Sequence, residues 1–271
     1  MSLSVLNNVS ALTAENQLNI TQGSLSKTLQ QLSSGQRINS GADDAAGLAI
    51  ANGLQANTTA LNQSVQNAND GVGELQVADG ALSQVTTLLN RAVTLATEAA
   101  NGTVTSSQQA SIDTEFQSIK NEISRIGTDT TYNGSSVFTG GATSIFLSDA
   151  NTQSTIATTV GTLSATTLSL NGNSMTSTAN AATALTAINN AISTVASTRG
   201  NLGATINRLN SAVNVMQTQV QNLTSAENGI MGANIAEDVA NMAKYQILNQ
   251  TGMSALAQAN QTQQQILQLF H

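Results

Sequence analysis

The chain has 271 residues and a net charge of −7, with eight Lys and Arg, fifteen Asp and Glu, and charged residues at 8% where ordinary domains have about 25%. It lacks Pro and Cys, and its single His is the last residue, His271, so disulfides, thiolate nucleophiles, cysteine metal sites and internal imidazole chemistry are excluded. The basic residues are scattered from Lys27 to Lys244, no apolar run is long enough to span a bilayer, and neither nucleic acid nor membrane is an expected partner.

The first thirty residues show no basic start leading into an apolar core, so no cleaved secretory signal is expected. Leu18, Leu25 and Leu32, with Leu29 between, give this region a helical stripe. Next comes RINSGADDAAGLAI, Arg37 to Ile50, with adjacent carboxylates at Asp43 and Asp44. Neighbours on a helix point about 100° apart, so the two cannot converge on one substrate as a catalytic pair must. The alternating acids of a calcium loop are also missing. Ser40 to Asp44 is therefore read as a helix start, with carboxylates at the positive end and small residues behind.

Without proline, helices can run long. One seam follows Leu75, Ala78, Leu82, Val85, Leu89, Ala92, Ala96 and Ala99. Leu61, Val65, Ala68 and Val72 precede it in a shifted phase, which predicts a change of winding near Glu74 to Gly80. Gly71-Val72-Gly73 lies within this seam and lacks the third glycine of a dinucleotide fingerprint, so it reads as a packing or flexibility feature. After an Asn101-Gly102 turn, Ile112, Phe116, Ile119, Ile123 and Ile126 form a third seam.

Between Thr139 and Thr178 nearly half of the residues are Ser or Thr, with one charge, Asp149. Ser136 to Thr139 and Ser144 to Leu147, separated by Gly140-Gly141, read as a hairpin, with turns at Asn133-Gly134 and Asn171-Gly172. A long seam then runs from Leu185 through Ile188, Ile192, Val195, Leu202, Ile206, Leu209, Val213, Met216 and Val220 to Leu223, broken only by Arg199. The last stripe, Val239, Met242, Met253, Leu256, Leu267 and Phe270, shares its heptad positions with Gln246, Asn249, Asn260 and Gln263. Such a stripe is marginal as a lone helix and suits one that firms up on partners. The expected fold is mainly α: an elongated helical bundle with long coiled-coil helices, a small β-hairpin region, and paired N- and C-terminal helices. No catalytic, cofactor-binding or metal-binding residues are expected.

The motifs LSSGQRINSGADDAAGLAIA, QNANDGVGELQVADGALSQV, TYNGSSVF, NRLNSAVNVMQTQVQNLTSAENGI and ILNQTGMSALAQANQTQQQILQLF, in this order, resemble those of bacterial flagellins, the subunits of the flagellar filament. The likeness covers roughly residues 1–138 and 180–271. It departs at Gln263, where the family often has proline, and in a middle too short for large surface domains.

The resemblance implies an inner terminal coiled-coil domain, residues 1–43 and 231–271, whose assembly contacts include Leu18, Leu25, Leu29, Leu32, Val239, Met242, Met253, Leu256, Leu267 and Phe270. Residues 44–230 would form linkers and an outer rod-like helical domain, with 139–178 as a short insert. Arg37, Asp43 and Asp44 would sit in the linker. The family also implies a secreted homopolymer exported without a cleaved signal, filament cap and junction proteins, and a cytosolic chaperone on the C-terminal region. Arg91, Leu95 and Glu115 match positions contacted by the flagellin-sensing Toll-like receptor, although Val93 and Thr94 replace the usual charged pair. The Ser/Thr-rich insert is a candidate for O-linked sugars. A filament-hook junction protein, a signalling coiled coil and an enzyme are the competing readings.

Overall fold

The computed structural model describes residues 8–148 and 153–268. Among them are α1 (Val9–Ser34), α2 (Ala45–Ala99), α3 (Ser106–Asp129), β1 (Thr131–Tyr132), β2 (Ser135–Ser136), β3 (Ala142–Ser148), β4 (Gln153–Thr159), α4 (Thr178–Met231) and α5 (Ile235–Gln268). The chain is thus mainly α, with two small antiparallel sheets, β1 with β2 and β3 with β4. It divides into two units, Met1–Ala56 with Asn222–His271, and Asn57–Gln221.

Helix boundaries follow local chemistry. Asn8 caps α1, its side-chain oxygen accepting from the Ala11 N–H at 3.0 Å. At the other end Gly35 takes a left-handed φ of 67° and its N–H donates to the Gln31 carbonyl. Thr105 and Gln108 form a reciprocal capping box at the start of α3. Many helical Ser and Thr hydroxyls donate to the carbonyl four residues back, as Thr86 does to Leu82 and Thr194 to Asn190. That satisfies these hydroxyls within their own helix, so faces with few charges remain compatible with long helices.

In the second unit, α2 buries Leu61, Ser64, Ala68, Gly71, Leu75, Ala78, Leu82, Val85, Leu89, Ala92, Ala96 and Ala99 in unbroken steps of three and four. The buried stripe therefore keeps one phase through Glu74 to Gly80, where the sequence pattern suggests a shift. Val65 and Val72 are only half-buried, and Ser64 and Gly71 hold the stripe positions because β3 lies there. The Ser64 hydroxyl donates to the Ser148 carbonyl and accepts from the Ser148 N–H, both at 2.8 Å. A methyl group at Gly71 would collide with Ile145 Cδ1, and one at Gly73 would stand 3.0 Å from the Tyr132 hydroxyl. Gly71-Val72-Gly73 is thus a packing feature, giving room to one residue from each hairpin.

α3 adds Ile112, Phe116, Ile119 and Ile123 to this core. In α4, Ala181, Ile188, Val195, Leu202, Leu209 and Met216 recur every seven residues and are all buried. Ala184 and Ala191 carry the companion stripe before Arg199, where Leu185 and Ile192 are only half-buried, and Val213 carries it after.

The β region corrects one expectation. The Asn133-Gly134 turn is where it was read, with φ of 48° and 79°, the two left-handed residues of a tight hairpin joining β1 and β2. The run Ser144 to Leu147, however, pairs with β4 and not with Ser136 to Thr139; Ile145 stands opposite Ile156 and Thr143 opposite Thr158. Val137 and Phe138 are consecutive and both buried, which an alternating strand cannot arrange. Gly140, at φ 75°, redirects the chain between them and β3.

Candidate functional site

α1 and α5 pair with each other in the first unit. The Asn8 side-chain amide donates to the Ala259 carbonyl at 3.1 Å, and Leu18 lies against Gly252, so the two run antiparallel. The shielded face of α1 is Ala14, Leu18, Thr21, Leu25, Thr28 and Leu32; that of α5 is Met242, Tyr245, Asn249, Gly252, Leu256, Ala259 and Gln263. Both sets step by three and four. Small residues let the backbones approach, since a methyl on Gly252 would stand 3.3 Å from Leu18 Cδ1. The buried Thr21 and Thr28 hydroxyls donate to the Gln17 and Ser24 carbonyls, so neither is left unsatisfied.

This pairing hides only one stripe of each helix. Val9, Leu12, Ile20 and Leu29 on α1, and Val239, Ile247, Leu248 and Met253 on α5, are exposed, Ile20 and Ile247 to 63% each. Of the residues singled out in the sequence, Leu18, Leu25, Leu32, Met242 and Leu256 lie half-buried in the pair, while Leu29, Val239 and Met253 lie outside it. The Leu267 side chain and Phe270 fall outside the described residues. Sequence reasoning missed Thr21, Thr28, Tyr245, Gly252 and Ala259. Only the strict three-four spacing from Leu18 and from Met242 pointed to them, because small or polar side chains give no hydropathy signal.

The segments beyond α1 and α4 meet in the same unit. The Arg37 N–H donates to the Met231 carbonyl at 2.6 Å and its guanidinium to the Ile230 carbonyl at 2.9 Å. The Ala233 N–H donates to the Gly35 carbonyl, and Gln36 and Gly232 form a bridge. Asp43 and Asp44 take separate tasks. Asp44 caps α2, accepting the Gly47 N–H at 2.8 Å. Gly47 has no room for a methyl, which would stand 2.5 Å from Asp44 Oδ2 and 2.8 Å from Ile38 Cδ1. Asp43 accepts from the Asn39 and Ser40 N–H groups and the Ser40 hydroxyl through Oδ2, and pairs with Lys27 through Oδ1 at 2.7 Å. The Lys27 ammonium and these donors lower its pKa to about 2.

In the second unit, Arg91 makes a bidentate pair with Glu115 at 2.7 and 3.1 Å, both side chains about half exposed, while Leu95, one turn on from Arg91, is buried. The pair raises the Arg91 pKa and lowers that of Glu115. A shallow groove of about 400 Å³ opens elsewhere in this unit, lined by Leu61, Leu147, Val215 and Met216. Among the described residues, no group of three acidic or imidazole side chains could hold a metal ion, and no helix is long and apolar enough to cross a membrane.

Residues 5–143 match the family described as bacterial flagellin N-terminal helical region, and residues 185–270 the one described as bacterial flagellin C-terminal helical region. Flagellin A of Vibrio anguillarum is 41% identical over 140 residues and Flagellin B of Vibrio cholerae serotype O1 39% identical over 140 residues. Each match takes in 52% of this chain and 37% of the relative, so the chain matches little more than a third of the length of these curated relatives. Among solved structures, the crystal structure of Bacillus cereus flagellin is 30% identical with a TM-score of 0.50, over 60% of this chain and 94% of that one.

Proposed function

The chain belongs to the bacterial flagellin family, and from that premise we propose that it is a structural subunit that self-assembles into the extracellular filament of the bacterial flagellum. The observation that carries this reading is the half-covered α1–α5 pair. Two helices of 26 and 34 residues shield one stripe each and leave Val9, Leu12, Ile20, Ile247, Leu248 and Met253 facing outward. Exposed apolar rows of this extent mark surfaces made to be covered. Copies of the same chain are the fitting cover, because these faces carry few charges and pack without desolvating ions. Contact between unlike surfaces of successive copies yields an open helix, as a filament requires.

Asn8, Leu18, Leu25, Leu29, Leu32, Val239, Met242, Met253 and Leu256 form or flank the assembling helices, with Arg37, Asp43 and Asp44 setting the linker between them and α2. A marginal seam of Thr, Asn, Gly and Ala supports a state in which α5 is unpaired before assembly. That suits export in an open form and cover by a cytosolic chaperone. Cap and junction proteins would meet the same helices at the filament ends. The exposed Arg91–Glu115 pair, with Leu95 buried one turn on, is the surface on which a flagellin-sensing Toll-like receptor would act.

Seeded growth tests the reading. Purified chain added to sheared filament fragments is expected to elongate them, as followed by sedimentation and electron microscopy. A chain lacking Gln246 to His271 is expected to stay soluble without elongating seeds; normal filaments from that truncation would refute the role given to α5.

A further inference from the structure

Lys120 on α3 is only 5% exposed, an unusual place for an ammonium. Its Nζ donates to the main-chain carbonyls of Asn173 at 3.0 Å and Asn171 at 3.4 Å, and lies 5.1 Å from the centre of the Phe116 ring. It is not alone in reaching that segment. One turn on, the Ser124 hydroxyl accepts from the Ala165 N–H at 3.2 Å. Two turns back, Asp113 Oδ1 accepts from the Met175 N–H at 2.6 Å. At Gly127 a methyl group would collide with the Leu163 carbonyl, so only glycine admits the chain there. Positions 113, 120, 124 and 127 follow one face of α3, and the segment passes over them in the opposite direction, from 175 back to 163.

We propose that Asp113, Lys120 and Ser124 are positioning residues that recognise the 163–175 strap by its peptide groups, with the Lys120 ammonium acting as an internal cation that gathers two strap carbonyls. The physical need is plain. Leu163, Leu168, Leu170 and Met175 are buried, and burying them draws main-chain groups of an irregular segment out of water. Internal turn bonds, such as the Leu170 N–H to the Ala165 carbonyl, satisfy some of these groups. Four more, the Ala165 and Met175 N–H groups and the Asn171 and Asn173 carbonyls, find their partners on α3. Burial lowers the Lys120 pKa and the charge of Asp113 opposes that shift, while the two carbonyls and the Phe116 ring hold the ammonium in place. The strap lies between the two family matches, which end at 143 and resume at 185, and a site that reads backbone geometry tolerates sequence change in what it holds. This assignment stands independently of the assembly reading.

Amide hydrogen exchange of the full chain tests it. Lys120→Met keeps the stem and removes the charge, and is expected to speed exchange at Met175 and Asn173 by about tenfold or more while Leu209 on α4 is unchanged. Asn171→Ala is expected to leave exchange as in the parent chain, since the main-chain oxygen is the acceptor. In Lys120→Ala, propylammonium is expected to restore slow exchange and propanol at equal concentration is not. Parent-like exchange in Lys120→Met, or equal rescue by propanol, would overturn the proposal by showing that the stem alone matters. If Lys120→Met loses helix content, Ser124→Ala is read instead: faster exchange confined to Ala165 and its neighbours supports the assignment, and none overturns it.

Discussion

Arg199, the one charged residue on the seam of α4, grips both carboxylate oxygens of Asp79 on α2, at 2.7 and 3.3 Å. Val195 and Leu202 bury on either side of it, and the companion stripe of α4 changes phase across this point. The break in the sequence pattern is thus a cross-helix lock, raising the Arg199 pKa through the Asp79 carboxylate. Both side chains are more than a third exposed, so the pair is expected to contribute about 0.5–1 kcal/mol. A double-mutant cycle of Asp79→Ala and Arg199→Ala by chemical denaturation checks this; a coupling near zero would leave Arg199 with a packing role alone.

Acid should act on the linker through Asp43. Its pKa is lowered to about 2 from 3.8, so the folded first unit holds fewer protons than the unfolded chain between those values. Its contribution is fully present above about pH 4 and is lost as pH falls toward 2. Circular dichroism melts across that range should show the loss in the parent chain and a flatter profile in Asp43→Asn. Asp44→Ala removes the α2 cap instead and is expected to cost about 1 kcal/mol at neutral pH.

Gly71→Ala places a methyl against Ile145 and is expected to destabilise the second unit by about 1–3 kcal/mol. Adding Ile145→Ala should recover part of that loss, because the overlap is with the Ile145 side chain itself. Thermal unfolding of the two single variants and the double variant decides the matter; strictly additive losses would mean the clash is absorbed elsewhere.

Ile247→Ser and Met253→Ser alter exposed side chains of α5 and should change the stability of the free chain by no more than about 0.5 kcal/mol. Their expected effect is on polymerisation, as a rise in the concentration needed to elongate seeds. Variants that grow filaments as the parent does would remove those two positions from the interface.

Much of the architecture was legible from periodicity. Leu75 to Ala99, Ile112 to Ile123 and the sevenfold repeat from Ile188 to Met216 are buried as their spacing implies. Asn133-Gly134 announced its turn because few other pairs accept two left-handed residues. Illegible positions were those whose burial depends on another element. Ser64 and Gly71 look like gaps until β3 is laid on them, and Gly252 and Ala259 look like neutral helix surface until α1 approaches. Asp43 and Asp44, adjacent in sequence, could be recognised as a helix start; that one serves Lys27 and the other Gly47 depends on the fold of the loop before them. The reach of Lys120 to Asn171 and Asn173 spans two segments for which no pairing rule exists.

The pairing of α1 with α5 also bears on how the molecule comes into being. α1 and α5 lie far apart in the chain, and Asn8 finds Ala259 only across 250 intervening positions. During synthesis the second unit can close on itself while α1 is still waiting. The first unit, which draws on both flanks of the second, is therefore expected to close after it, and its seam of small side chains is expected to exchange amide hydrogens faster than the core of α2.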